Sequence, residues 1–246
     1  MKIVATIEAR MTSSRLPGKV MLPAKSKPML EHLVDRLRRA TSVEEIVLAT
    51  TINSSDDVLV DFARRQQIGV FRGSEDDVMS RVIGAAESAR ADVVVEITGD
   101  CPIIDFRIVE QMVRMFLANP CEYCSNALVR SYPIGMDTQV LRLETLQRSF
   151  VMTSDPLDRE HVTRHIRMNP EKFVHLHLVA PPDLHWPKLG LTLDERADYE
   201  LLKRIIEYFG DAKPDFSCGD VLNLLRNEHP EWIGINQSVM RKGMNQ

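Results

Sequence analysis

The chain has 246 residues, 44% of them hydrophobic and 27% charged, with a net charge of −4; that is the balance of a globular protein able to bury a substantial core. A slight excess of acid excludes a broadly basic surface for nucleic acid or anionic membrane, so any anion site has to be local. No apolar run approaches the roughly eighteen residues of a membrane span, Met1-Lys2-Ile3-Val4 has no signal-peptide core, and Cys101, Cys121, Cys124 and Cys218 lack zinc spacing. The expectation is one cytoplasmic domain with reduced thiols.

In chain order, Ile3 to Ile7 reads as a buried strand, followed by a long loop to Pro23 and a helix from about Pro28 to Ala40. A second strand, Ile46 to Thr50, precedes a helix from about Ser55 to Gln67 capped by Ser55 or Asp56. Gly69 to Phe71 is a brief strand, and a helix from about Glu75 to Ala89 follows, with Ser74 as its cap. Asp92 to Thr98 is the most β-branched run and predicts a central strand that ends at Gly99-Asp100; Asp105 then caps a helix to about Leu117. This alternation predicts an α/β fold with a parallel sheet.

Beyond Pro120 the regularity drops. A turn-rich loop, Tyr132 to Asp137, leads to a strand over Thr138 to Leu141; helices near Leu143 to Met152 and Leu157 to Met168 follow, then a strand over Phe173 to Val179. The stretch 121–179 therefore reads as an insertion. The sheet resumes with a strand over Leu189 to Leu193, ending at Asp194, before helices at about Glu195 to Phe209 and Gly219 to Asn227. The terminal dozen residues, ending Met244-Asn245-Gln246, are expected to pack loosely.

Two features carry chemistry. The loop after the first strand sets Arg10, Arg15 and Lys19 among Ser13 and Ser14 and closes with Pro17-Gly18. Arg forks, a Lys point charge and a close-approaching glycine backbone suit a polyphosphate; the same spacing also suits a solvated basic loop. Asp100 and Asp194 each end a predicted strand, so both can reach one point above the sheet's carboxyl edge, where one or two carboxylates plus substrate phosphates hold magnesium. Each alone also reads as a cap or turn residue. His161 and His165 have helical spacing, but without a metalloprotease glutamate between them they read as an interface or pocket face.

The run Ala9-Arg10-Met11-Thr12-Ser13-Ser14-Arg15-Leu16-Pro17-Gly18-Lys19 closely resembles the signature loop of the CMP-sugar synthetase-like cytidylyltransferases, most of all the spore-coat polysaccharide branch related to CMP-Kdo and CMP-sialic acid synthetases. Gly73 to Val78, Thr98 to Asp105 and Leu191 to Asp198 are similar to three further family stretches, in order. The resemblance implies a Rossmann-like, mostly parallel sheet with helices on both faces, of nucleotide-diphospho-sugar transferase type. It also implies a small inserted α+β region at 121–179 for substrate and dimer contacts. CTP is then held by Ala9, Arg10, Ser13, Arg15, Lys19, Ser74, Arg81 and Thr98, although Ser74 and Arg81 also read as a cap and a solvated helix residue. Mg²⁺ falls on Asp100 and Asp194, with Asp198 behind them; Arg10, Arg15, Lys19 and Asp100 carry the reaction; Tyr132, Gly135, Asp137 and His161 face the sugar.

Two departures stand out. Glu8 occupies a position usually held by Gln, a charge that costs beside a triphosphate loop unless it faces away or pairs with a cation such as Arg36 or Arg38, and Arg196 sets a cation near the metal. The implied function is transfer of CMP from CTP to an acidic sugar, with release of pyrophosphate, in polysaccharide biosynthesis, by a homodimer. The rival readings are a glycosyltransferase, a cytidylyltransferase for a non-sugar acid, and a nucleotide-binding protein without turnover.

Overall fold

The computed structural model describes residues 1–240. In chain order its elements are β1 (Ile3–Glu8), β2 (Pro23–Ala24), β3 (Lys27–Pro28), α1 (Met29–Leu37), β4 (Glu45–Thr51), α2 (Asp57–Gln66), β5 (Gly69–Gly73), α3 (Val78–Ser88), β6 (Val93–Thr98), α4 (Phe106–Leu117), β7 (Tyr123–Ser125), β8 (Gln139–Arg142), α5 (Leu143–Met152), α6 (Pro156–Glu160), α7 (Arg164–Arg167), β9 (His175–His177), α8 (Arg196–Phe209) and α9 (Cys218–Asn223).

Seven strands form one sheet in the order β5-β4-β1-β6-β8-β7-β9. The first four run parallel; β8 is antiparallel to both β6 and β7, and β9 is parallel to β7. Alternation along each strand splits the core in two. Ile3, Ala5 and Ile7 of β1 pack on the face covered by α1, α4 and α8, whereas Val4 packs with Val47 and Val94 under α3 and α5. The sheet is therefore buried on both faces, as parallel strands require, and the expected α/β architecture with helices on both sides is what forms. The segment 121–179 supplies β7, β8 and β9 to this same sheet.

Several boundaries differ from the sequence reading. The helix expected from Glu75 starts at Val78, because Asp77 and not Ser74 caps it: the Asp77 carboxylate accepts from Ser80 N at 2.9 Å, and Ser74 Oγ accepts from Asp77 N. Asp56 does not cap its helix with its side chain; that carboxylate is turned toward the opening loop. The helix expected over Leu157 to Met168 is two short pieces broken at 161–163, so His161 and His165 do not share a helix face. His165 is buried against Ser149 Oγ at 2.9 Å. The stretch Leu189 to Leu193 makes one isolated parallel bridge, Gly190 to Ile134, in place of a strand. Tyr123–Ser125 escaped prediction because three residues are too few to show a period.

The four cysteines are unpaired thiols, and no helix among the described residues is long and apolar enough to cross a membrane. The tail, expected to pack loosely, buries Asn236, which donates to Gly190 O at 2.9 Å and Asp198 Oδ1 at 2.8 Å; its last six residues lie outside the described range.

Gly135 locks the bridge to Gly190. Its φ of +105° suits glycine, and a Cβ there would stand 2.5 Å from Leu191 O. Gly135→Ala is expected to lower stability by about 2–4 kcal/mol, read as a reduced urea midpoint with an unchanged slope.

Candidate active site

A cleft of about 260 Å³ opens at the carboxyl edge of the parallel strands, lined by Ala9, Arg10, Ser13, Arg15, Lys19, Arg81, Thr98, Asp100, His161 and Asp194 among the residues singled out by sequence. Its wall is the loop after β1. Gly18 takes a left-handed conformation (φ 70°), its amide bonds Met11 O at 2.9 Å, and a short turn of 3₁₀ helix starts at Lys19. The buried Asp56 carboxylate accepts from Met11 N at 2.8 Å and from the hydroxyls of Thr50 and Thr51 at 3.0 and 2.6 Å, pinning the loop to the end of β4. These hydrogen bonds outweigh burial and hold Asp56 below the ordinary carboxylate range.

The centre of the cleft is one ammonium between two carboxylates. Lys19 Nζ lies 3.1 Å from Asp100 Oδ2 and 3.3 Å from Asp194 Oδ1, and Arg15 reaches Asp194 Oδ1 at 2.6 Å. Burial of Lys19 disfavours its charge, but the two aspartates more than compensate, so its pKa is raised. Burial works against charge on Asp100 too, and is overcome by Lys19, Thr98 and Cys101, leaving the carboxyl lowered. The two aspartates are held alike: Thr98 Oγ1 donates to Asp100 at 2.6 Å and Thr192 Oγ1 to Asp194 at 3.2 Å, while Leu193 N donates to Asp100 O at 2.8 Å. Asp198 accepts from the Asp194 and Glu195 amides at 3.0 and 2.9 Å, which fixes the Asp194 backbone and completes the capping box of α8. Among the described residues no three His, Cys, Asp or Glu side chains could hold a metal by themselves.

Arg81 stays on the cleft wall, and the remaining sequence-predicted residues fall elsewhere. Arg81 is buried rather than solvated, bonding Ser74 O and Glu75 O. Ser74 is not on the cleft wall; it braces the start of α3. Tyr132 is in the core, Gly135 is wedged against Leu191, and Asp137 is paired with Arg130 off the cleft, since the loop that carries them turns inward to meet Gly190. Arg196 points away, pairing with Glu200 at 2.9 Å and stacking on Tyr199, and so does not disturb the aspartates. Arg36 and Arg38 do not meet Glu8: they bond Ile104 O and Phe216 O, and Gln66. Glu8 lines the cleft beside Arg81 instead.

Sequence reasoning missed Glu75, which accepts from Asn53 at 2.6 Å and from Thr12 and pairs with Arg10 at 3.3 Å, and Asp56, the loop's anchor. Each meets the loop only through side-chain contacts between segments far apart in the chain, which local patterns do not show.

A cytidylyltransferase family model matches residues 4–211. The chain is 32% identical over 234 residues to the spore coat polysaccharide biosynthesis protein SpsF of Bacillus subtilis, covering 93% of this chain and 95% of that one. It is 33% identical over 124 residues to 3-deoxy-manno-octulosonate cytidylyltransferase of Trichlorobacter lovleyi, about half of each chain (49% and 47%). A solved cytidylyltransferase from Leptospira borgpetersenii superposes with a TM-score of 0.91 at 34% identity, over 98% of this chain and all of that one. With the cationic loop after β1 and the aspartate pair brought to one sheet edge, the chain belongs to the cytidylyltransferase family, nucleotidyltransferases that use CTP.

Proposed function

We propose that the chain transfers CMP from CTP to the hydroxyl of an acidic sugar, releasing pyrophosphate, as a step in surface polysaccharide or glycoconjugate synthesis in the cytoplasm. The observation that carries this is the meeting of Lys19, Arg15, Asp100 and Asp194 at one point of the cleft. The acidic acceptor is argued from the Trichlorobacter lovleyi relative, named for 3-deoxy-manno-octulosonate, and the biosynthetic setting from SpsF. Pyrophosphate release from each of the four ribonucleoside triphosphates, against a panel of acidic sugars, tests it. No turnover of CTP with any acceptor rejects it.

Two carboxylates brought to one point are oxygen donors that fit a hard divalent cation completed by substrate phosphates, so Asp100 and Asp194 would hold Mg²⁺. When bound, the ion supplies positive charge at the reacting phosphate. Arg10, Arg15 and Lys19 neutralise the triphosphate and the departing pyrophosphate, and the anchored loop holds them in place before substrate arrives. Ala9, Ser13, Thr98 and His161 line the same cleft; we assign the first three to the nucleotide and His161 to the acceptor.

The segment 121–179 we assign to substrate and homodimer contacts. Its exposed apolar side chains, among them Val151, Met152, Met168, Val174 and Val179, support a surface that a second copy covers.

Three outcomes are expected. Lys19→Ala weakens CTP binding by about 1.5–3 kcal/mol more than CMP binding in calorimetry; equal losses would remove Lys19 from the distal phosphates. Asp100→Asn and Asp194→Asn each lower kcat/KM by orders of magnitude under saturating Mg²⁺, and the double variant is scarcely worse than the poorer single one; additive logarithmic losses would separate the two carboxylates. Light scattering at micromolar concentration gives a dimer mass, and a strictly monomeric mass would count against the interface.

A further inference from the structure

A cavity of about 430 Å³ lies between α1, the β2–β3 hairpin and the end of α8, and shares no lining residue with the active-site cleft. Its buried cation is Arg36, only 3% exposed. Nε of Arg36 donates to Ile104 O and Nη2 to Phe216 O, and the guanidinium lies 4.3 Å from the centre of the Phe216 ring. Nη1 has no protein partner among the described residues and is not sealed from solvent, so it is the edge that Arg36 offers to the cavity. A guanidinium already desolvated and fixed in direction loses little more when an anion joins it.

The charges around Arg36 are unbalanced. Lys25 pairs with Asp211 at 2.8 Å, and Lys27 with Asp35 at 2.6 Å. Arg39, on the same wall and exposed, makes no hydrogen bond or ion pair with its side chain among the described residues. The positive charges of Arg36 and Arg39 are thus left over. Burial lowers Arg36 to about 10; Asp105 opposes the shift, and Arg107 and Arg39 add to it. The Asp105 carboxylate cannot close the gap, because it is spent on the Arg107 and Cys218 amides at 3.0 and 2.7 Å. Lys25 is available as well, since its partner Asp211 is fully exposed and a surface pair of that kind is weak. The hairpin turn that aims Lys25 holds Lys25 and Ser26 at φ of 45° and 66°, where Asn and Gly are the usual residues. Backbone strain of that kind concentrates at ligand clamps.

We propose that this cavity is a second anion site, taking a phosphate dianion, free or as a phosphate monoester, between Arg36 Nη1, Arg39 and Lys25. Two unbalanced positive charges match a dianion. Donors that come from the hairpin and from two positions at the end of α1 suit a tetrahedral group better than a planar carboxylate. Pro102, Ile103 and Ile206 add an apolar wall for the organic part of a monoester.

The test is binding alone and is independent of the acceptor assignment. Inorganic phosphate and ribose 5-phosphate are titrated calorimetrically at about pH 8, where both are dianions, into protein saturated with CTP, so that the cations of the cleft are already engaged. Both are expected to bind. Arg36 is left in place because it also holds two backbone carbonyls. Arg39→Glu, at an exposed and unpaired position, weakens binding by about tenfold or more, and Lys25→Gln by about threefold or more. Lys19→Ala, in the cleft, leaves it within about twofold. Near-ultraviolet circular dichroism confirms that the variants fold. Either order of affinity supports the site, and the tighter ligand tells whether a monoester or free phosphate is its occupant. No binding of either anion to the CTP-saturated wild type, unchanged affinity in Arg39→Glu, or a loss in Lys19→Ala as large as that in Arg39→Glu would overturn the proposal.

Discussion

The ammonium of Lys19 between Asp100 and Asp194 is the interaction on which the site depends. Two carboxylates brought to one point in a partly desolvated cleft repel each other, and a cation has to stand between them. Lys19 reaches that place because Gly18 turns the chain in a conformation that disfavours side chains, and because the Asp56 carboxylate holds the loop at Met11 N. Arg15 adds a second cation on Asp194. The charges that a triphosphate and a divalent cation would meet are thus preorganised by contacts internal to the protein.

The fold delivers those groups from far apart in sequence. β1 and β6 are neighbours in the sheet, so the opening loop and the Thr98-Gly99-Asp100 turn leave it side by side. Gly99 is tightly placed there, its amide 2.9 Å from Glu8 O, with no room for a Cβ beside Ala9. The return at Leu193-Asp194 is tied to Asp100 by a backbone hydrogen bond, and its other supports are the Asp198 cap and Asn236 from the tail. Asp194 therefore depends on α8 and on the end of the described chain as much as on its own segment.

Charge is divided across the cleft. On one side cations dominate and the Asp100 carboxyl is lowered, Lys19 overcoming its burial; on the other, Glu8 and Glu96 are desolvated together and their carboxyls are raised. Two carboxyls of one site are shifted in opposite directions because Asp100 has Lys19 in contact, whereas at Glu8 burial and Glu96 outweigh Arg81 and Arg10.

Sequence by itself determined the order of strands and helices in the parallel half, and singled out the cationic loop after β1 and the two aspartates, because each rests on local pattern: apolar runs, turn residues and short motifs; that the loop's cations pair with those aspartates only the structure shows. It placed Asp105 as the cap of α4 and the helix over Leu143 to Met152 for the same reason. Only the tertiary structure decided the rest. A three-residue strand such as Tyr123–Ser125 and an isolated bridge such as Ile134 to Gly190 have no period of their own and exist because a neighbour supplies the pairing. Tyr132, Asp137, Ser74 and Arg81 were assigned by motif to the ligand; whether each faces the cleft, the core or a helix end depends on the direction of a loop in space. The state of Glu8 was hidden for the same physical reason, since burial and the distance to Glu96, 88 positions away in the chain, are properties of the packed sheet and not of the residues beside it.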